Sequence, residues 1–163
     1  MAKLNPSKLF EQALTALLRN SNLGPGVTLR PWQSIPFDGS WNADEDYTLP
    51  MVDIRFASES IGEDQVTCVC TGNITAITKT DDDQDHAAIS SLYDAVYGVV
   101  AGIFKSFIFV SGAQYSGFLA KVEELSADTV HIGGVELVEP SMPSSIDGRN
   151  EISIGFAVHF SYV

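Results

Sequence analysis

The sequence predicts an α+β fold, a mainly antiparallel β-sheet with two principal helices packed on it. Two segments place apolar residues at helical spacing, and several others have strand character. The last segment alternates strictly between large apolar residues and small ones. A length of 163 residues with 45% apolar and 18% charged residues predicts a single compact domain over residues 1–163.

The first helix is predicted over residues 6–20. Asn5 is a favourable N-cap, and Pro6 suits the first helical position. The apolar stripe of this helix consists of Leu9, Phe10, Ala13, Leu14, Leu17 and Leu18. The Gly-Pro-Gly sequence at residues 24–26 ends the segment, and a short strand over residues 27–30 is predicted after it.

Residues 32–50 form a long connection with neither a helical nor a strand period. Compact domains rarely contain structureless loops of this length unless the loops are functional or disordered. Trp32 and Trp41 argue against simple disorder, because such large rings normally bury against a surface. That surface belongs either to this subunit or to a neighbouring one, so both tryptophans are candidate subunit-interface residues.

A β-hairpin is predicted next. Residues 51–57 alternate, with Asp53 and Arg55 on the face opposite Val52 and Ile54. A longer strand follows over residues 66–80, and Gly72-Asn73 predicts a bend or bulge within it. The polar turn between the two strands is typical of a hairpin.

A second helix is predicted after the acidic residues 81–85, where Asp83 or Asp85 can cap it. Its apolar face consists of Ile89, Leu92, Tyr93, Val96, Val99, Val100 and Ile103. A narrower stripe of small residues consists of Ser91, Ala95, Gly98 and Gly102. Because each glycine costs a helix roughly 1 kcal/mol relative to alanine, a compensating contact is expected. Tight packing on the protein's own sheet and contact with a neighbouring subunit are both open explanations.

Strands are predicted in the C-terminal third over residues 107–110, 118–125 and 129–138, with a bulge or turn at residues 131–134. Residues 140–148 are predicted to be a loop, because proline, serine and glycine punctuate them. The alternating segment 152–163 predicts a central strand with one large apolar face and one small face.

The charge balance is strongly acidic, with 21 acidic and nine basic residues and a net charge of −12. A field of this sign repels phosphate backbones, and the sequence has no basic stripe for nucleic acid. The most clustered acids are Asp44, Asp46, Asp81, Asp82 and Asp83. They are candidates for the negative wall of a channel that DNA crosses, or they face bulk solvent and keep the protein soluble.

Catalytic and metal-binding patterns are absent from the sequence, and neither an enzyme activity nor a cofactor is expected. Recognised catalytic and phosphate-binding motifs are missing, and His86, His131 and His159 are far apart in sequence. The acidic residues 81–85 lack the glycine and distal glutamate of an EF-hand loop. Cys68 and Cys70 are predicted to be reduced thiols that pack as small apolar groups. Neither a membrane span nor a secretory signal is expected.

One stretch carries a family resemblance. Residues 66–103, VTCVCTGNITAITKTDDDQDHAAISSLYDAVYGVVAGI, combine a strand, a polar acidic turn and an amphipathic helix. Together with the closing EISIGFAVHFSYV, this order resembles the tail terminator and neck-completion proteins of long-tailed bacteriophages. The resemblance extends over most of the chain in the order of its elements.

The resemblance implies a structural virion protein that forms a ring, commonly a hexamer, at the head-proximal end of the tail. Such a ring ends tube growth and joins the tail to the head. The implied partners are further copies of the chain, the tail tube protein and the head-side connector protein. DNA would pass through the ring without specific binding. The implied location is the virion, with assembly in the host cytoplasm.

Two other classes of function stay open. One is a small-ligand binding or carrier domain with an apolar pocket between sheet and helix. The other is an enzyme with an unfamiliar site. A native mass that is a defined multiple of 17.6 kDa distinguishes a ring from both.

Overall fold

A computed structural model describes residues 5–31, 49–56, 60–61, 67–82, 85–103, 115–140, 143–146 and 148–162. Its helices are α1 (Pro6–Arg19), α2 (Ala87–Ile103) and α3 (Tyr115–Ser126). Its strands are β1 (Thr28–Pro31), β2 (Met51–Phe56), β3 (Ser60–Ile61), β4 (Thr67–Lys79), β5 (Val130–Pro140), β6 (Ser144–Ile146) and β7 (Arg149–Tyr162). The predicted strand 107–110, Trp32, Trp41, Asp44, Asp46 and Asp83 lie outside the described residues.

The seven described strands form one sheet in the order β1-β2-β4-β7-β5, with β3 paired to β4 and β6 paired to β7. The β1–β2 pair is parallel and the other pairs are antiparallel. The predicted α+β class with a mainly antiparallel sheet is therefore confirmed. The prediction that β7 is a central strand is confirmed as well, because β7 lies between β4 and β5.

The start of α1 follows the predicted capping chemistry. The side-chain oxygen of Asn5 accepts a hydrogen bond from the backbone N–H of Ser7 at 3.0 Å, and Pro6 is the first helical residue. This arrangement satisfies one of the backbone donors that a helix start leaves without an intrahelical partner. Arg19, in the last turn, has the charge that a helix C-terminus favours.

The core lies between the helices and one face of the sheet, here called the core face. Phe10 of α1 is at its centre, with ring centroids 5.8 Å from Phe56, 6.4 Å from Phe118 and 5.1 Å from Phe160. These rings come from three separate parts of the chain, β2, α3 and β7. Phe10 therefore connects α1 to β2, α3 and β7 in one aromatic cluster. Aromatic contacts of this kind add to the stabilisation that burial provides.

The bulge predicted as one alternative at Gly72-Asn73 is wrong. The β4–β7 pairing runs without a register shift from Thr67↔Ser161 to Lys79↔Arg149. Gly72 has a different role, since a Cβ atom at this position would lie 2.8 Å from the ring of Phe56. The register shifts occur in β5, one of them between Ile132 and Gly134, which confirms the bulge predicted at residues 131–134.

Two predictions about the C-terminal third are also wrong. Residues 118–125 are helical and belong to α3, so the described fold has three helices rather than two. Phe118 and Val122 are both buried one helical turn apart, and this spacing fits a helix that packs on the core. The predicted loop 140–148 contains β6, whose three residues pair with β7.

Candidate interaction surface

Helix α2 has a buried side that matches the sequence prediction. The residues on it are Ile89, Leu92, Val96, Val99, Val100 and Ile103, all buried against the core. The N-cap position is held by His86, whose carbonyl accepts the first helical hydrogen bond, from the N–H of Ser90, and not by the predicted Asp83 or Asp85. Asp85, one residue earlier, still binds the helix start, because its Oδ1 accepts a hydrogen bond from the backbone N–H of Ala87 at 3.2 Å. The apolar spacing therefore orients this helix on the sheet.

The opposite side of α2 is made of small residues, and we call it the α2 surface. It consists of Ala87, Ala88, Ser91, Asp94, Ala95, Gly98, Ala101 and Gly102, which helical geometry places on one side. Each of these residues is exposed or half-buried. Asp94 is the single charged residue among the 17 residues of α2. Water-facing helix sides normally carry several charges, so this side resembles a contact surface more than a solvated one.

Tight packing of Gly98 on the protein's own sheet, one of the two explanations for the small stripe, is wrong. A Cβ atom built on Gly98 would have no other atom within 4 Å. Ser91, one end of the stripe, is exposed. The structure thus brings Ser91, Ala95, Gly98 and Gly102 together on a side of α2 that faces away from the core. Contact with a neighbouring subunit stays a prediction.

Two tyrosines lie between the α2 surface and the buried side. The rings of Tyr93 and Tyr97 are stacked, with centroids 5.9 Å apart, and Tyr97 is 40% exposed. Partial burial raises the pKa of Tyr93, and the nearby Tyr97 and Asp94 raise it further. Burial disfavours the charged phenolate, so Tyr93 stays neutral to a higher pH than a solvated tyrosine.

The second candidate surface is the face of the sheet opposite the core face, here called the outer face. Alternation along the paired strands β4 and β7 places eight residues at its centre. We call this set the central strip: Val69, Thr71, Asn73, Thr75, Ser153, Gly155, Ala157 and His159. None of the eight is Asp, Glu, Lys or Arg. Thr71 and Asn73 are exposed, whereas Gly155 is buried and Ala157 is only 3% exposed. The hydroxyls of Thr75 and Ser153 are 2.9 Å apart.

Charged residues border the central strip on both sides. On the β5 side, Glu136 Oε1 lies 2.8 Å from Nε2 of His159. On the β2 side, the carboxylate of Asp53 binds two arginines. The side chains of Arg30 and Asp53 are both 5% exposed and form an ion pair. Arg55 donates to Asp53 from Nη2 at 2.8 Å and from Nε at 3.1 Å, and its side chain stays 48% exposed.

The buried Arg30–Asp53 pair was missed by sequence reasoning. Alternation in β2 placed Asp53 and Arg55 correctly on the outer face, but it gave no sign that Asp53 is buried. The pairing of Arg30 with Asp53 follows from the parallel register of β1 and β2, which joins residues 23 positions apart. Two guanidinium groups therefore bind the one carboxylate of Asp53.

The predicted acidic residues are only partly within the described structure. Asp81 is exposed in a 3-10 turn formed by Thr80–Asp82, and Asp82 lies in the same turn. This turn precedes α2 and is not part of the α2 surface. Trp32, Trp41, Asp44, Asp46 and Asp83 lie outside the described residues, so their predicted roles stay predictions.

A groove of about 270 Å³ lies between the start of α2 and the β6–β7 hairpin. Its lining combines polar residues, among them His86, Ser145 and Glu151, with Ile89 and Ile152. The apolar pocket of a carrier domain stays a prediction.

Potential metal ligands are scattered in the described part of the chain. No three His, Cys, Asp or Glu residues lie close enough there to hold a metal ion. The thiols of Cys68 and Cys70 are buried on the core face, which confirms their predicted packing in the core. None of the helices in the described ranges is long and apolar enough to cross a membrane.

No model of a protein family matches the chain, and no curated protein is significantly similar to it in sequence.

Proposed function

We propose that this protein is a ring-forming structural subunit of the tail terminator or neck-completion class of long-tailed bacteriophages. The observation that carries the proposal is the α2 surface, an exposed helix side with one charge and with Gly98 in open space. Glycine inside a helix lowers stability by about 1 kcal/mol relative to alanine, so it is expected where another backbone approaches. A second copy of the chain would supply that backbone.

The particular class is supported by the order of elements over residues 66–103 and by the closing strand. In this proposal the ring, a hexamer, ends growth of the tail tube. One side of the ring contacts the tail tube protein and the other contacts the head-side connector protein. The protein would be assembled in the host cytoplasm and would remain in the virion. We propose no catalytic role and no cofactor.

The charge balance supports a channel that DNA crosses without being held. At a net charge of −12 for each subunit, the negative field grows with every added copy and repels phosphates. In this proposal Asp81, Asp82 and Asp83 form part of the negative wall of the channel. They are tested first because Asp81 is exposed. Lysines at these three positions should leave particles able to assemble but should alter DNA retention or ejection in a salt-dependent way. DNA passage that is indifferent to this reversal would exclude these acids from the channel.

Native mass spectrometry tests the ring directly. A ring gives one defined multiple of the 17.6 kDa subunit, six in the hexamer. A carrier domain or an enzyme with an unfamiliar site does not require this multiple. A protein that stays monomeric up to tens of micromolar would contradict the proposal.

A further inference from the structure

We infer that the outward edge of β5 is built to prevent a second copy of this chain from adding a strand to the sheet. This edge, here called the β5 edge, is the side of Val130–Pro140 that faces away from β7. Within the described ranges, β5 is the last strand on this side of the sheet, and no strand pairs with the β5 edge. The inference does not depend on the proposed ring, because it concerns a contact that the fold avoids.

A strand edge of this length is a natural site of pairing between copies. Alternate residues of an edge strand direct their backbone N–H and C=O groups away from the sheet, and these groups can bind a strand of another chain. Strand β5 has 11 residues, whereas an ordinary strand has about five or six. Two copies could therefore pair β5 with β5. Such a contact uses the same surface twice and gives a closed dimer.

Two β-bulges interrupt the β5 edge. The pairing of β5 with β7 shifts by one residue at two places, so that Gly133 and Val138 are extra residues relative to β7. Regular pairing between these positions extends over residues 134–137 only. About two of these four residues direct their backbone outward, so a second β5 would meet a bulge almost at once. Bulges also bend a strand and increase its twist, which turns the edge away from a straight partner.

A charge and a proline protect the same edge. Glu136 lies within the regular stretch, and its side chain is 55% exposed. In a β5–β5 pair its carboxylate would approach the same carboxylate of the second copy, in a chain whose net charge is already −12. Pro140, the last residue of β5, has no N–H to donate. The described sheet ends on its other side in β1, which has only four residues and ends in Pro31, so both edges have features that discourage pairing.

Deletion of the two extra residues tests the inference. A chain without Gly133 and Val138 keeps the remaining residues of β5 on their present sides of the sheet, because each deletion removes one residue that is extra relative to β7. We expect this variant to gain a dimeric contact. Its native mass should be twice that of the unmodified chain or, if the unmodified chain forms a ring, a multiple of the ring mass. Adding Glu136→Thr should lower the concentration for half-association further, by about tenfold.

Deletion of Gly24 is the matched control for the deletion of Gly133 alone. Gly24 is exposed in the connection between α1 and β1, so its deletion also shortens the chain by one glycine but leaves β5 unchanged. The native mass of this control should equal that of the unmodified chain. Circular dichroism and urea unfolding show whether each deletion variant is folded.

Hydrogen exchange of the unmodified chain is a second test that needs no change in the sequence. Residue-resolved exchange should show that the amides of β5 that do not bond to β7 exchange rapidly at every protein concentration. The amides of β4 and β7, which have a strand on each side, should be protected. This measurement decides the question if a deletion variant does not fold.

The possible outcomes separate the inference from the proposed ring. A folded deletion variant with the same native mass as the unmodified chain would overturn the inference. Slow exchange of the outward amides of β5 would overturn it as well, because it would show that another strand occupies the edge. Neither result affects the ring. An unmodified chain that is monomeric at every concentration would contradict the ring, whereas a gain of the dimeric contact on deletion would still support the inference.

Discussion

Helices α2 and α3 both bury apolar residues in the same core, yet their remaining sides are built differently. Helix α3 contains Lys121, Glu123 and Glu124 within 12 residues, and Nζ of Lys121 lies 3.3 Å from the Glu124 carboxylate. Helix α2 is longer, with 17 residues, and contains one charged residue. Charged pairs at this spacing help a helix side that faces water. The contrast indicates that α3 is adapted to solvent and α2 to contact.

Substitutions on the buried sides of the two helices should have the largest effects on the free energy of unfolding. These effects should be similar for α2 and α3. Leu92→Ala in α2 should lower the free energy of unfolding by about 2–5 kcal/mol, and Phe118→Ala in α3 by about 3–5 kcal/mol. Both side chains are almost fully buried, so each truncation leaves a cavity in the core. Urea unfolding followed by circular dichroism measures both losses. An unchanged unfolding midpoint for either variant would contradict the placement of that helix in the core.

The sides of α2 and α3 that face away from the core should respond differently to a larger side chain. Gly98→Leu tests this on α2. The new side chain enters open space within the subunit, so the folding stability should stay constant or rise by up to about 1 kcal/mol. Overpacking at a subunit contact should instead weaken assembly by about 1–3 kcal/mol. Thermal unfolding and native mass spectrometry measure the two effects separately.

Ala120→Leu is the matched control on the exposed side of α3, and it should change neither stability nor assembly appreciably. If Gly98→Leu also left the oligomer mass and the assembly concentration unchanged, the α2 surface would not be a subunit contact, and the contrast between the helices would have another cause.

The smallest expected effect concerns Tyr93 at the border of the α2 surface. Its pKa is raised in the folded protein, chiefly by burial, so the folded state binds the proton more tightly than the unfolded state does. The resulting stabilisation is fully present below the unfolded pKa of about 10 and is lost as pH rises through the folded pKa. Tyr93→Phe should therefore reduce the decline of stability with pH.

Urea unfolding from pH 8 to 11 measures the decline of stability with pH for the unmodified protein and for the Tyr93→Phe variant. Because Tyr97 raises the pKa of Tyr93, the difference between the two series reports Tyr93 together with its interaction with Tyr97. Curves that stay parallel over the whole range would indicate that Tyr93 titrates as a solvated tyrosine.

Local sequence patterns predicted a large part of this fold. Asn5 and Pro6 defined the start of α1, because capping depends on residues adjacent in the chain. The spacing of apolar residues in α2 identified its buried side, and the alternation in β7 identified its core face, although residues 154–158 of β7 are buried on both faces. These patterns depend on the geometry of one helix or one strand, which the order of side chains alone determines.

Only the tertiary structure decided the features that depend on residues far apart in sequence. The segment 118–125 fits a short strand or a helix by its apolar residues, and packing against Phe10 accompanies the helical form. Gly72 indicates a bulge by sequence, whereas in the fold it accommodates Phe56 from the neighbouring strand. Likewise, the stripe on α2 was recognisable from its spacing, but the open space at Gly98 was not. Side-chain order sets the period of an element, whereas strand register and helix placement determine which surfaces are covered, because these arise from contacts between distant segments.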